Sequence, residues 1–163
     1  MLEWGGKCCN KNEMTHVSYK SKELNYKCTE KCNNTPLKVI VEFERTNYYN
    51  PNWLKNSIII PISGVYIVNV SFNITKVIEG GSFLLQSCLK LNNDFLTESY
   101  NSEVDVDTTG FTYDGPPSYR LNTTTLLFDK NDKLSLDLII TYYNSTDPID
   151  VNYYMLISLL RVG

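Results

Sequence analysis

The sequence predicts an all-β sandwich, and three observations support this prediction. The 163-residue chain contains no alanine, the residue with the highest helix propensity. Isoleucine, valine, threonine, tyrosine and phenylalanine, which favour strands, are abundant. Short segments of alternating apolar and polar residues are separated by turn-forming residues. Many short strands joined by regular turns are typical of a two-sheet sandwich or a jelly roll.

The clearest strand is predicted for residues 65–75. Its even positions are all apolar: Tyr66, Val68, Val70, Phe72 and Ile74. Its odd positions change from apolar (Val65, Ile67) to polar (Asn69) along the chain. Because side chains alternate between the two faces of a strand, one face is expected to line a core and the other to be mixed. A helix would scatter both sets around its circumference.

Further strands are predicted, in chain order, at residues 37–44, 83–91, 126–128, 134–139 and 149–162. Asn92-Asn93-Asp94 can supply the positive φ angles of a tight hairpin turn. Residues 47–56 are interpreted as a turn region, and residues 98–119 as a long exposed loop.

The first 36 residues are polar, lack sustained periodicity and are expected to form an irregular arm before a domain at 37–163. They hold most of the cysteines: Cys8, Cys9, Cys28 and Cys32. These four are predicted to form two disulfides that staple the arm. Zinc binding by the four thiolates is the alternative, although adjacent cysteines are poor metal-ligand spacing. Cys88, inside an apolar segment, is expected to be a buried free thiol.

Glycosylation is predicted from the Asn-x-Ser/Thr sequons. Four sequons are expected to carry glycan: Asn33, Asn73, Asn122 and Asn144. Asn144 is the best acceptor, because it begins a turn-like segment that should be exposed. The chain has no apolar run long enough to span a membrane, and its first 14 residues lack the apolar core of a signal peptide. A membrane anchor or signal is therefore expected to have been removed or never present.

Composition and motifs disfavour several function classes. The net charge of −3 argues against nucleic acid as a partner. Catalysis is not expected, because the single histidine, His16, lies in the polar arm and Gly-x-Ser-x-Gly is absent. The alternating carboxylates Glu103, Asp105 and Asp107 could hold calcium, but no calcium-loop glycine accompanies them. A solvated acidic loop is favoured, and no cofactor or metal is predicted.

Three segments together resemble the tumour necrosis factor superfamily. Residues 58–68 resemble its motif of an apolar strand, proline and Gly-apolar-Tyr, here Pro61, Gly64 and Tyr66. Residues 126–136 resemble its charged hairpin, and residues 153–160 its aromatic-rich final strand. Two glycines of that pattern are missing: Asn131 replaces the hairpin glycine, and an apolar residue replaces the glycine of the last strand. Complement-head domains share the Pro-x-x-Gly-x-Tyr motif and are a close rival.

The resemblance implies a jelly roll of two antiparallel sheets that assembles into a homotrimer. The implied interface comprises Ile67, Asn69, Leu121 and one of Tyr153 and Tyr154. Apolar residues at the odd positions of the central strand would favour this assembly, because that face of the strand can be buried only against a partner outside the sandwich core. The alternative is that Val65 and Ile67 lie beneath the N-terminal arm. If Asn69 lies on the threefold axis, its sequon is expected to be unoccupied.

The resemblance also implies a function. The chain would be an extracellular ligand, secreted or the ectodomain of a single-pass type II membrane protein, that clusters a cysteine-rich receptor of the tumour-necrosis-factor-receptor family. Receptor contacts are expected from loop aromatics: Tyr48, Tyr49, Trp53, Tyr100, Phe111, Tyr113 and Tyr119. These aromatics could equally just cover a sheet end. The alternative function is a complement-head-like or viral trimeric recognition or scaffold domain without a signalling receptor. Neither function requires membrane contact by this segment.

Overall fold

The computed structural model describes residues 16–28, 36–44, 53–95, 102–109, 118–142 and 148–163. Within these ranges the chain forms two antiparallel sheets and no helix. The front sheet contains β1 (His16–Lys20), β2 (Leu24–Cys28), β6 (Gly64–Glu79), β10 (Ser118–Phe128) and β12 (Ile149–Arg161). The back sheet contains β3 (Leu37–Ile40), β4 (Trp53–Leu54), β5 (Ser57–Ile59), β7 (Ser82–Leu91), β8 (Asp94–Phe95), β9 (Ser102–Asp107) and β11 (Lys133–Tyr142).

The strand pairing identifies the fold as a jelly roll. β1 pairs with β12, β3 with β11, β6 with β10, and β7 with β9, all antiparallel. These pairs nest inside one another, as they would in a single long hairpin that has been rolled up into two sheets. The front sheet runs β1–β12–β6–β10, and the back sheet is centred on β11 and β7. The predicted all-β sandwich of two antiparallel sheets is confirmed.

The core lies between the sheets and follows the predicted alternation of β6. All five even positions, from Tyr66 to Ile74, are buried, and the odd positions of the same stretch are only partly buried. The Phe72 ring stacks on Tyr153 of β12, with centroids 4.5 Å apart, and meets Phe83 of the back sheet edge-on at 6.1 Å. Burying each such side chain contributes about 1.5–3 kcal/mol, so β6 anchors the two sheets to each other.

Asparagines supply the left-handed backbone conformations of the tight turns. Asn92 and Asn93, between β7 and β8, have φ angles of 53° and 71°. Asn131, between β10 and β11, has a φ of 72°. Asparagine tolerates this region better than other non-glycine residues. The hairpin turn predicted at Asn92-Asn93-Asp94 is confirmed. Asn131 likewise adopts a left-handed backbone conformation at its own turn.

Two segments predicted to be irregular contain strands. The described part of the N-terminal arm forms β1 and β2, which pair with β12 and bury Tyr19 and Tyr26 in the core. The predicted loop 98–119 contains β9, whose exposed acidic residues alternate with the valines Val104 and Val106. Both predictions were wrong for the same reason. Five- or six-residue segments carry weak periodicity, and pairing with a long neighbouring strand decides their conformation.

The cysteines follow the prediction in part. Cys28 is buried and disulfide-bonded, whereas Cys88 is a free thiol. Cys8, Cys9 and Cys32 lie outside the described residues, so the stapling of the arm stays a prediction. Cys88 is half-buried rather than buried, because its side chain points to the outer face of the back sheet beside Asp137.

Candidate interaction face

The outer face of the front sheet is the surface on which the sequence predictions converge. Its side chains come from alternate positions of β1, β12, β6 and β10, and they lie in rows across the strands. One row is Thr125, Ile67, Leu160 and His16. The next row is Thr123, Asn69, Ser158 and Ser18. The third row is Arg120, Ser71, Leu156 and Lys20.

One end of this face is apolar. It consists of Val65, Ile67, Leu127, Leu160 and Val162 and is called the apolar end below. Leu127 is 74% exposed, and Val162 and Leu160 are also exposed. Val65 lies opposite Leu127, and Ile67 lies opposite Leu160, so the five side chains form one continuous patch. Such exposed apolar patches mark interaction surfaces more often than isolated apolar residues do.

The middle of the face is a polar groove of about 490 Å³. Its lining comes from three strands: Asn69, Ser71 and Asn73 of β6, Ser118 and Arg120 of β10, and Leu156 and Ser158 of β12. Its volume falls in the range of small-ligand pockets, roughly 300–1,000 Å³. Unlike most such pockets, it is lined largely by hydroxyl and amide groups.

A directed set of hydrogen bonds orders the groove. The Ser118 hydroxyl donates to Asn73 Oδ1 at 2.6 Å, and Asn73 Nδ2 donates to Ser71 Oγ at 3.1 Å. The Thr123 hydroxyl donates to Asn69 Oδ1 at 2.8 Å. Both amide oxygens are therefore occupied by hydroxyls of β10, and the donor groups of Asn69 and Ser71 remain available.

Lys20 and Tyr154 lie beside the groove. Lys20 Nζ is 4.3 Å from the centroid of the Tyr154 ring, a cation–π contact. No carboxylate of the described residues lines the groove. Glu23, which reaches this face, accepts a hydrogen bond from the Thr75 hydroxyl. The groove is thus flanked by the cations Arg120 and Lys20.

The predicted trimer-interface residues are divided between this face and the core. Ile67, Asn69 and Tyr154 lie on the outer face, so Tyr154 and not Tyr153 is the outward residue of that pair. Tyr153 is 1% exposed, and its burial raises the pKa of its hydroxyl. Leu121 is 3% exposed, because a bulge between Arg120 and Asn122 turns it inward. Leu121 was therefore predicted wrongly as an outward-facing residue, while Tyr154 is the one of the two tyrosines that could take part, and the interface itself stays a prediction.

Most of the predicted receptor contacts lie outside the described residues. These are Tyr48, Tyr49, Tyr100, Phe111 and Tyr113, together with the side chain of Trp53, whose backbone belongs to β4. Tyr119 is half-buried, and its hydroxyl donates to the carbonyl of Asp107 at 3.3 Å. Burial, with the Asp107 carboxylate close by, raises the pKa of Tyr119. Tyr119 thus links β10 to β9 at the edge of the sandwich.

The predicted glycosylation sites differ in their settings. Asn33 and Asn144, and the side chain of Asn122, lie outside what the structure describes. Asn73 lies in the middle of β6, and its Nδ2, the atom to which a glycan would attach, donates to Ser71. A glycan there would fill the groove. The structure therefore makes Asn73 a poor acceptor, although its occupancy stays a prediction.

His16 and the acidic residues of β9 lie on different sheets. His16 is exposed at the end of its row beside Leu160. Glu103, Asp105 and Asp107 point outward from β9, and among the described residues no group of histidine, cysteine and carboxylate side chains could hold a metal. No helix in these residues could cross a membrane.

Sequence reasoning missed Arg120 and Leu127. The signal for Leu127 was present, because Leu126-Leu127-Phe128 is apolar on both faces of its strand. Leu126 and Phe128 take the two core positions, which leaves Leu127 outside. Arg120 gave no signal, because its place beside Ser71 depends on the register of β10 against β6 and on the bulge after it.

No protein-family model and no curated protein matches the chain. The fold is similar to the structure of Eiger TNF from S. frugiperda, at 10% identity and a TM-score of 0.43, with 91% of this chain and 94% of that chain covered. It is similar to the globular domain of a zebrafish complement 1qA protein, at 12% identity and a TM-score of 0.43, with 89% and 98% covered. A family 35 carbohydrate-binding module from Clostridium thermocellum matches at 14% identity and a TM-score of 0.32, with 86% and 96% covered.

A tumour-necrosis-factor ligand and a complement head, the two kinds of protein that the sequence motifs resemble, are thus both among these structural matches. At these identities the likeness concerns fold alone. The jelly-roll assignment stands on the nested strand pairing of the chain itself.

Proposed function

We propose that the chain is an extracellular, non-enzymatic ligand that forms a homotrimer and clusters a cell-surface receptor of the tumour-necrosis-factor-receptor family. The observation that carries the proposal is the apolar end of the front sheet. Its most exposed side chain, Leu127, is 74% exposed in the single chain and lies beside Val65 and Ile67. The sequence motifs that resemble the family supply the trimeric form of the assembly.

The physical reason for assembly is the burial of the apolar end. Removing one exposed leucine side chain from water contributes about 1.5–3 kcal/mol. Leu127, Leu160 and Val162 are exposed in the single chain, and Val65 and Ile67 are partly exposed, so covering the patch favours association. Val65, Ile67 and Leu160 lie on two central strands of the sheet and are therefore held rigidly. A preformed patch loses little conformational freedom when a second copy covers it.

A threefold assembly gives the signalling role its mechanism. Three equivalent receptor sites bring three receptor chains together, and multivalency raises the overall avidity. The loop aromatics, Tyr48, Tyr49, Trp53, Tyr100, Phe111, Tyr113 and Tyr119, are the proposed receptor contacts. The arm that precedes β3 contains the disulfide-bonded Cys28 and is proposed to be stapled through the neighbouring cysteines, which suits an oxidising extracellular setting.

Light scattering after size-exclusion chromatography tests the assembly. The wild type is expected to have the mass of three chains, and Leu127→Asp is expected to shift it towards the monomer. Ile78→Asp is the matched control, because Ile78 is 51% exposed but lies outside the apolar end. A wild type with the mass of one chain at micromolar concentration would refute the trimer.

Receptor binding separates the two functions. A panel of cysteine-rich receptor ectodomains would be tested against the wild type and against Leu127→Asp. The ligand hypothesis expects one receptor to bind the trimer with much higher avidity than the monomeric variant. A stable trimer that binds no member of the panel would favour the recognition or scaffold domain instead.

A further inference from the structure

Arg120 is a cation that lines the edge of the polar groove. Its guanidinium makes no ion pair or hydrogen bond within the described residues, and it lies on β10 opposite Ser71 of β6. Lys20 on the same face also has no ion pair among the described residues, whereas four other lysines do. Lys27, Lys38, Lys55 and Lys90 each pair with a carboxylate. Within the described ranges, therefore, no carboxylate neutralises the charge that Arg120 places at the groove.

The hydrogen-bonding groups of the groove that remain free among the described residues are mainly donors. Asn69 Oδ1 and Asn73 Oδ1 already accept from β10 hydroxyls, so neither oxygen needs a ligand donor. The Asn69 amide NH₂ and the Ser158 hydroxyl have no hydrogen-bond partner among the described residues. Ser71 accepts from Asn73 and still has its own proton to donate. The groove therefore offers donors to a ligand that is chiefly an acceptor.

We propose that this groove binds an oxyanionic group, a sulfate or carboxylate carried on a small polar molecule such as a sugar. The guanidinium fork of Arg120 suits two oxygens of such a group, with Asn69 and Ser71 as neutral donors. Lys20 lies on the same row, two strands beyond Ser71, and adds attraction from the other end. The groove of about 490 Å³ has room for more than an inorganic ion.

A long polyanion fits the site less well. The chain has a net charge of −3, and the basic groups of this face are few, whereas nucleic-acid binding needs an extended basic surface. The proposed ligand contacts lie within one protomer, and the apolar end lies beside the groove rather than in it. Because Asn69 belongs both to this groove and to the predicted trimer interface, the inference goes beyond the proposed function but concerns the groove as the single chain presents it.

Calorimetric titration of unglycosylated protein with glucose 6-sulfate, glucose and sodium sulfate tests the proposal, with sodium chloride holding ionic strength constant. Glucose 6-sulfate is expected to bind and glucose to give no signal. Binding of sodium sulfate as tight as that of glucose 6-sulfate would assign the site to a free ion. Weaker binding of sodium sulfate would assign it to the sugar sulfate.

Matched variants locate the site. Arg120→Gln is expected to weaken glucose 6-sulfate binding by about tenfold or more, because one charge-assisted fork is lost. Lys55→Gln removes a cation elsewhere on the surface and is expected to change nothing. Each titration is repeated on Leu127→Asp, so that binding to the single chain is measured whatever the oligomeric state. The proposal is overturned if neither form binds glucose 6-sulfate, or if Arg120→Gln binds as the wild type does.

Discussion

Asp137 of β11 and Lys90 of β7 form an ion pair on the back sheet, with Oδ2 of Asp137 2.6 Å from Nζ of Lys90. The Asp137 side chain is only 3% exposed, although it points away from the core between the sheets. Lys38 of β3 approaches the same oxygen at 3.3 Å. One carboxylate thus ties β3 and β7 to the strand between them.

Lys90→Met is expected to lower the free energy of unfolding by about 2 kcal/mol, because it weakens a charge-assisted contact to a buried carboxylate. Lys55→Met is the matched control. Lys55 pairs with Glu42, but both side chains are well exposed, so the loss should stay below about 1 kcal/mol. Urea unfolding measures both values. Equal losses in the two variants would show that the burial of Asp137 does not strengthen its pair.

Cys88 is expected to react slowly with iodoacetamide at neutral pH. Burial and, next, the nearby Asp137 carboxylate raise the pKa of its thiol, which reduces the reactive thiolate, although Lys38 and Lys90 oppose this. Asp137→Asn removes the second cause and should speed the modification. Peptide mass spectrometry at Cys88 follows the rate. An unchanged or slower rate in the variant would contradict the assigned cause.

Thr108→Val should lower the free energy of unfolding by about 2 kcal/mol, because the Thr108 hydroxyl makes two hydrogen bonds to the backbone of Gly81. The hydroxyl donates to the Gly81 carbonyl at 2.8 Å and accepts from the Gly81 amide at 2.9 Å, and the residue is fully buried. Thr125→Val, on the exposed outer face, should change stability by less than about 0.5 kcal/mol. Thermal and urea unfolding test the pair. Similar stability losses in the two variants would mean that the two hydrogen bonds to Gly81 contribute nothing.

The protein should lose stability in alkaline solution. Burial raises the pKa of Tyr153 above that of a tyrosine in the unfolded chain, about 10. The folded state therefore keeps a proton that the unfolded state releases. Its contribution is complete below pH 10 and is lost as the pH rises above 10, by up to about 1.4 kcal/mol per pH unit. Urea midpoints between pH 9 and pH 11.5 measure the slope, and an identical slope in Tyr153→Phe would refute this assignment.

Glycan mapping of protein from a secreting eukaryotic cell should find Asn69 and Asn73 unoccupied. Both lie in the middle of β6, and Asn73 Nδ2 already donates to Ser71, whereas Asn69 is expected to be covered by the threefold packing. Asn144 should carry glycan, as its sequence setting predicts. Glycan on Asn69 in the folded protein would argue against both the threefold packing and the open groove.

The sequence predicted the fold well where a strand is long and one-sided. The alternation from Tyr66 to Ile74 fixed a core face, and the asparagines of the tight turns were predicted from their tolerance of positive φ. The sequence did not predict which face of the sheet a side chain takes where that depends on how two strands pair. Leu121 faces inward because of a single bulge, which the local sequence does not announce. Arg120 enters the site only through cross-strand register, which is a property of two segments and not of one.

The nested pairing has a consequence for how the chain is made. β12 lies between β1 and β6, yet it follows every other strand in the sequence. A growing chain therefore cannot close the front sheet until β12 has left the ribosome, and until then β1 and β6 have unpaired edges. Such edges promote aggregation, so early release or truncation before Ile149 should yield insoluble product.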